Sequence, residues 1–212
     1  MKSYREAPNE KFRKVGQYQL LEILGKGANG IVFKGLNAND GSLVAVKEMH
    51  IGKSEMKSIK SELTFLKQLD HPSIVKYLDA VQKENKIYLI LEYVEGGSLA
   101  ALAKKSHLSE DTVKLYVKQV LQGLIFLHRE GVIHRDIKGA NILIDKYGKV
   151  KLADFGVAVK LEESQKTISA AGSPYWMAPE IITSESDPTT KCDIWSLGCT
   201  IIELLTGNPP YF

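Results

Sequence analysis

The chain has 212 residues, 44% of them hydrophobic and 25% charged, and its 28 basic and 25 acidic residues leave a formal net charge of +3. That is ordinary globular composition, and so small an excess gives no reason to expect a nucleic acid or an anionic membrane as partner. Two cysteines, Cys192 and Cys199, are too few for a disulfide framework or a tetrahedral zinc site; in an apolar stretch they predict buried thiols on one helix face.

The opening MKSYREAPNEKFRKVG has no apolar core of a secretory signal. No apolar run approaches the roughly 18 residues of a membrane-spanning helix, and even 199–205 contains Glu203. A reducing, cytoplasmic compartment without membrane insertion is the expectation. Residues 1–17, polar and carrying Pro8 and Gly16, read as a loosely held extension.

From Tyr18 the pattern becomes strand-like. Residues 18–24, 31–36 and 43–49 are short β-prone runs, with Asp40-Gly41 marking a hairpin turn between the second and third. The period then changes. Met56, Ile59, Leu63, Leu66 and Leu69 recur every three or four positions and predict an amphipathic helix over 54–69. Two further apolar runs, 74–81 and 87–94, flank a turn at Glu84-Asn85, and Gly96-Gly97 ends the β-rich part. Ser109 then caps a long helix with Glu110 and Asp111 in its first turn and Leu108 and Val113 placed as a hydrophobic staple. Its apolar stripe runs through Val113, Tyr116, Val117, Val120, Leu124 and Leu127, and Gly131 can end it. A β-rich unit followed by an α-rich unit, with a crevice between them, is the predicted α+β architecture.

Chemistry-bearing motifs sit at the joints of this pattern. Gly25-Lys26-Gly27-Ala28-Asn29-Gly30 with Val32 fits G-x-G-x-x-G-x-V, in which bare backbone amides can approach a phosphate. Glycines of this kind also simply mark hairpins. A dinucleotide reading would need a helix next, and here a β-branched strand follows. Val44-Ala45-Val46-Lys47 ends a strand on a lysine: either an edge-strand solubility residue or a cation for phosphates held by a carboxylate. Glu62 is the better-placed carboxylate, Glu48 and Glu55 less so; the alternative is an exposed Glu62 paired with Lys60 or Lys67. His134-Arg135-Asp136-Ile137-Lys138-Gly139-Ala140-Asn141 follows the long helix and precedes an apolar strand, so a carboxylate and a carboxamide share one loop. Asp154-Phe155-Gly156 comes after a strand over 149–153, and its Asp is a hard oxygen donor suited to Mg²⁺. Ala178-Pro179-Glu180 closes the set after Gly172-Ser173-Pro174-Tyr175-Trp176-Met177.

These motifs in this order resemble those of protein kinases, over about residues 18–212. Lys138 and the Ser173-Pro174-Tyr175-Trp176 stretch resemble the serine/threonine branch. HRDIKGANIL, LADFGVA, PYWMAPE and DIWSLGCTIIELLTG are similar to the STE group and its MAP kinase kinase kinases, in particular the plant epsilon type and the fungal septation-initiation kinases. The resemblance implies a bilobal fold with an N-lobe over 18–94 and a C-lobe over 95–212. It also implies ATP and Mg²⁺ as cofactors, a protein substrate, and an upstream activator or autophosphorylation at the activation loop.

By the same resemblance the glycine loop covers the phosphates, Lys47 paired to Glu62 grips the α- and β-phosphates, and Asn141 and Asp154 hold the metal. Asp136 accepts or orients the substrate hydroxyl, and Lys138 counters charge on the γ-phosphate. Val32, Ala45 and Leu143 enclose adenine, which hydrogen-bonds the backbone of Glu92 and Val94, with Leu91 as gatekeeper. Arg135 is the expected partner of a phosphorylated activation-loop residue, for which Ser169 is favoured over Thr167 and Ser164. Ser173 aligns with the hydroxyl that braces the catalytic loop, and Asp193 anchors that loop from beneath.

Similar kinases continue beyond residue 212 with more helices, one bearing an arginine partner for the residue matching Glu180. A truncated C-lobe is therefore expected, with Ile194, Leu197, Ile201 and Leu204 of a helix over 190–205 partly exposed. An inactive nucleotide-binding or scaffold module is the alternative function. A small-molecule phosphotransferase is disfavoured by the peptide-platform resemblance of 173–176.

Overall fold

The computed structural model describes residues 13–27, 30–50, 66–154, 159–160, 173–183, 187–210 and 212. They form two compact units, one from residues up to Lys67 together with Tyr77–Tyr93, the other from Gln68–Lys76 with Val94–Phe212. The bilobal, α+β division expected from the sequence is present.

The first unit is a six-stranded antiparallel sheet, β1 (Lys14–Val15), β2 (Tyr18–Gly27), β3 (Gly30–Asn37), β4 (Leu43–His50), β5 (Tyr77–Lys83) and β6 (Lys86–Glu92), in the order β1-β2-β3-β4-β6-β5. Alternation sorts its side chains. Val44 and Val46 point into a core with Val15, Tyr18, Leu20, Tyr88 and Ile90, while Ala45 and Lys47 take the opposite face. The turn at Asp40-Gly41 is as read, with Gly41 at φ +74° and Ser42 N donating to Asp40 Oδ1 over 2.8 Å.

Two sequence expectations are corrected here. Residues 14–15, assigned to a loose extension, pair with β2; Val15 is buried, and the Arg13 carbonyl accepts a bond from Leu20 N. The Arg13 guanidinium lies against the rings of Phe33 and Tyr88, hydrogen-bonds Tyr88 Oη and ion-pairs with Glu48. Glu48 also pairs with Lys86. A two-residue strand carries no period, so nothing in the sequence separates it from a tail. The apolar run 74–81 is likewise not one strand. Ile74 and Val75 belong to the second unit, where Ser73 O accepts from Leu152 N (2.8 Å) and Val75 N donates to Leu152 O (2.9 Å). The helix expected over 54–69 lies almost wholly outside the described residues.

In the second unit, α1 (Leu99–Lys105) is capped by Ser98 and precedes the long α2 (Glu110–Arg129). Ser109 caps α2 by accepting from Thr112 N, and Val113, Val120, Leu124 and Leu127 are buried along it. Beyond Gly131, at φ +72°, come β7 (Val132–Ile133), β8 (Ile142–Ile144) and β9 (Val150–Leu152). β8 pairs with β9, and β7 pairs with β10 (Val159–Lys160). A 3-10 turn at Pro174–Trp176, the short α3 (Pro179–Ile182) and α4 (Lys191–Thr206) complete it. On the apolar face of α4, Ile194 is exposed and Ile201 half-buried as expected, but Leu197 and Leu204 are buried; Trp195 and Ile202 are exposed as well. Both cysteines are buried on α4 as read.

Candidate active site

The register of β2, β3, β4 and β6 decides what one face of the first unit presents. Val32 pairs with Lys47, Ala45 with Leu91 and Lys47 with Leu89, so Val32, Ala45, Lys47 and Leu91 lie on the face opposite the apolar core. Glu48, one residue further along β4, points to the core side and is held there by Arg13 and Lys86. Burial raises the Glu48 carboxyl, but hydrogen bonds from Lys86 and Arg13 outweigh it and hold the carboxyl below the usual carboxylate range. It is therefore not a partner for Lys47. Glu55 and Glu62 lie outside the described residues, as do Ala28, Asn29 and Ser169.

The three glycines of the hairpin are not equivalent. Among the described residues a Cβ at Gly25 or Gly27 would meet nothing within 4 Å, and neither has a positive φ. Gly30, with Lys26 beside the same hairpin, is different: its φ is +122° and a Cβ would fall 2.0 Å from Glu48 O.

In the second unit the loop 134–141 is fixed from several sides. Asp193, fully buried on α4, accepts from His134 N (3.0 Å), Arg135 N (2.8 Å) and His128 Nε2 (2.8 Å). His134 Nδ1 accepts from Asp136 N, so its Nε2 is the nitrogen that donates to Ala153 O, at 3.0 Å. Ala153 N donates to Asn141 O at 2.9 Å. The residue before Asp154 is thus held by both ends of the loop, and Asp154 itself sits at φ +62°. Arg135, at φ +67° and buried, has its guanidinium pushed below its ordinary value by that burial.

Asp136 is the convergence point. Its Oδ1 accepts from Ser173 Oγ (2.8 Å), and its Oδ2 accepts from Asn141 Nδ2 (2.7 Å) and lies 2.8 Å from Lys138 Nζ. Lys138 Nζ also donates to Ser173 Oγ at 2.6 Å. Asn141 Nδ2 donates a second time, to Asp136 O at 2.8 Å. With the amide nitrogen committed to this loop, the amide oxygen of Asn141 is the atom left to act as a ligand. An amide oxygen and the Asp154 carboxylate are a fitting donor pair for Mg²⁺, which binds through one or two protein oxygens plus phosphate rather than in an all-protein cage. No cluster of three or more His, Cys, Asp or Glu among the described residues could hold a metal by itself. Leu143 of β8 is half-buried and Val94 is buried, both in the second unit.

Asp193 was expected to anchor this loop, but Ser196, Thr200 and Glu203 escaped the sequence reading; the four form a buried polar stripe along α4, with the spacing of a helix face. Ser196 Oγ donates to Trp176 O (2.7 Å), Thr200 Oγ1 to Ile137 O (3.4 Å), and Glu203 Oε2 accepts from Gly139 N (2.8 Å) and Trp176 Nε1 (3.0 Å). The signal was the helical spacing of four polar residues within an apolar segment.

A loop carboxylate is thus braced by a lysine, a serine and an asparagine, and the residue before Asp154 is tied to the same loop. Residues 18–212 match the protein kinase domain family, and the chain belongs to it. It is 54% identical over 195 residues to cell division control protein 7 of Schizosaccharomyces pombe, covering 90% of this chain and 18% of that protein. It is 54% identical over 199 residues to cytokinesis protein sepH of Aspergillus niger, covering 92% and 15%. To MAP3K epsilon protein kinase 2 of Arabidopsis thaliana it is 51% identical over 203 residues, covering 92% and 15%. The chain thus spans less than a fifth of the length of these relatives. No described helix is long and apolar enough to cross a membrane.

Proposed function

We propose that this chain is the catalytic domain of a serine/threonine protein kinase, transferring the γ-phosphoryl group of ATP to protein hydroxyls. The observation that carries the reading is the Asp136 carboxylate, met at both oxygens by Ser173, Asn141 and Lys138. Those bonds hold it aimed, as a group that accepts or orients a substrate hydroxyl must be. Lys138 brings a positive charge beside that carboxylate, where negative charge gathers on the transferring phosphoryl group. Asn141 and Asp154 would hold Mg²⁺, which supplies charge neutralisation to the phosphates. In the first unit Lys47 would grip the α- and β-phosphates, with Glu62 as its carboxylate partner and Gly25, Lys26, Gly27 and Gly30 of the hairpin over them. Adenine would meet Val32, Ala45 and Leu143 and the backbone of Glu92 and Val94, with Leu91 as gatekeeper.

Regulation through Arg135 belongs to the same reading. A cation buried at the head of the catalytic loop would donate charge-assisted hydrogen bonds to a phosphate placed on Ser169 by an upstream activator or by autophosphorylation. The catalytic domain comprises lobes over 18–94 and 95–212, with residues 13–17 added to the first by β1. Likeness to proteins named for cell division, cytokinesis and MAP3K epsilon function favours a septation-type or MAP-kinase-type cascade in the cytoplasm.

The test is transfer of label from radiolabelled ATP with magnesium to a generic basic protein, beside Asp136→Asn. Label on serine or threonine with the wild type and none with the variant is the expected result. A folded wild type that transfers no label overturns the reading in favour of an inactive binding module.

A further inference from the structure

Glu203 is a charged residue almost entirely removed from water, with 5% of its surface exposed. A carboxylate in that position costs several kcal/mol unless its lone pairs are met by donors. The donors it has come from two different segments. Gly139 N belongs to the loop that carries Asp136, Lys138 and Asn141; Trp176 Nε1 belongs to the 3-10 turn whose first flanking residue is Ser173. Both bonds end on one oxygen, Oε2, at 2.8 and 3.0 Å. Bonds to a charged acceptor are roughly twice as strong as neutral ones. Trp176 is fixed a second time through its carbonyl by Ser196 Oγ, one helical face along α4. The approach also depends on Gly139 having no side chain, because a Cβ there would lie 3.0 Å from the Glu203 Cδ, Oε1 and Oε2.

We propose that Glu203 is a positioning residue for phosphoryl transfer. Its Oε2 ties the catalytic loop to the turn that presents Ser173 and so sets the Asp136–Lys138–Ser173 triangle. The two arms that meet at Asp136 are referenced to one atom on a rigid helix rather than to each other alone. Displacements of about an ångström at such a site cost on the order of a hundredfold in rate. The inference rests on the kinase reading for its consequence and on the hydrogen bonds for its geometry.

The test uses the full chain and three variants, with melting temperature and affinity for a non-hydrolysable ATP analogue as controls. Glu203→Ala is expected to lower kcat on a protein substrate about ten- to a hundredfold while analogue affinity stays within about twofold. Glu203→Gln keeps an acceptor oxygen and is expected to recover most of that loss. Trp176→Phe keeps the ring and removes one donor; its loss should be smaller, and in the double variant it should add nothing to that of Glu203→Ala, because both act through one acceptor. Hydrogen exchange at the Gly139 amide should accelerate in Glu203→Ala and not in Trp176→Phe, a readout that needs no activity. Unchanged kcat in folded Glu203→Ala, or losses that multiply in the double variant, overturn the proposal. Should Glu203→Ala fail to fold, full turnover by Trp176→Phe overturns it. A wild type that transfers no phosphate sinks the kinase reading instead, and protection of the Gly139 amide that is independent of residue 203 sinks the coupling.

Discussion

Glycine has two separate causes within residues 25–30, and they predict opposite phenotypes. Gly30 combines φ +122° with a Cβ position 2.0 Å from Glu48 O, so Gly30→Ala strains the backbone and drives β3 away from β4. The expected cost is about 2–5 kcal/mol, checked by urea denaturation. Gly27→Ala meets no neighbour among the described residues and should cost less than about 1 kcal/mol while weakening ATP binding, checked by titration with the nucleotide. If both variants lose stability equally, the division is wrong. Asp154 gives a second residue-scale expectation. It sits at φ +62°, which Asn tolerates as well as Asp does, so Asp154→Asn removes charge with little strain. Turnover should fall on the order of a hundredfold or more with the melting temperature nearly unchanged. A turnover equal to that of the wild type would remove Asp154 from the metal site.

At the scale of the element, α4 is a helix with two kinds of buried face. Its polar stripe holds the 134–141 loop and the 174–176 turn, and its thiols pack against apolar neighbours: Cys192 lies with Ile133, Ala178 and Ile181. Burial, reinforced by the nearby Asp193, pushes the Cys192 thiol up to about 12, and burial raises Cys199 as well. Both thiols are therefore protonated and inert at neutral pH, so a disulfide-exchange reagent should react with neither until the protein unfolds. The linkage has a definite sign. Above the ordinary thiol value near 9 the unfolded chain has released protons that the folded chain still holds, so stability falls as pH rises from about 9 toward 12. Replacing Cys192 with Ala should flatten that part of a stability–pH profile. An unaltered slope would show that the thiol does not govern it.

At the scale of the whole molecule, the proposed nucleotide-binding groups are distributed over both units, Val32, Ala45 and Lys47 in one and Leu143, Asn141 and Asp154 in the other. A ligand that engages the folded chain alone stabilises it by mass action, about 2.7 kcal/mol at a hundred times its dissociation constant. Thermal melts with ATP should therefore shift upward with magnesium and shift less without it. Asp154→Asn should lose the magnesium-dependent part and keep the rest. No shift at millimolar nucleotide in a folded sample would count against ATP as the ligand.

Most of the element pattern, and the grouping of Asp136, Lys138 and Asn141 on one loop, could be read from the sequence because their causes are local. Ser109 caps α2 through a bond to a residue three positions away, Gly41 and Gly131 supply positive φ at turns, and Asp136, Lys138 and Asn141 share one short loop. Alternation alone put Val44 and Val46 on one face and Lys47 on the other. What tertiary structure decided were the pairings between distant segments. Residues 14–15 became a strand because Val15 completes a core built from β2, β4 and β6, and Ile74 and Val75 left the first unit because Leu152 offered both a donor and an acceptor. The hold of Glu203 on Gly139 and Trp176 joins residues 64 and 27 positions apart. No period or propensity encodes such a contact: it exists only once the chain has brought its donors to a carboxylate that burial has cut off from water.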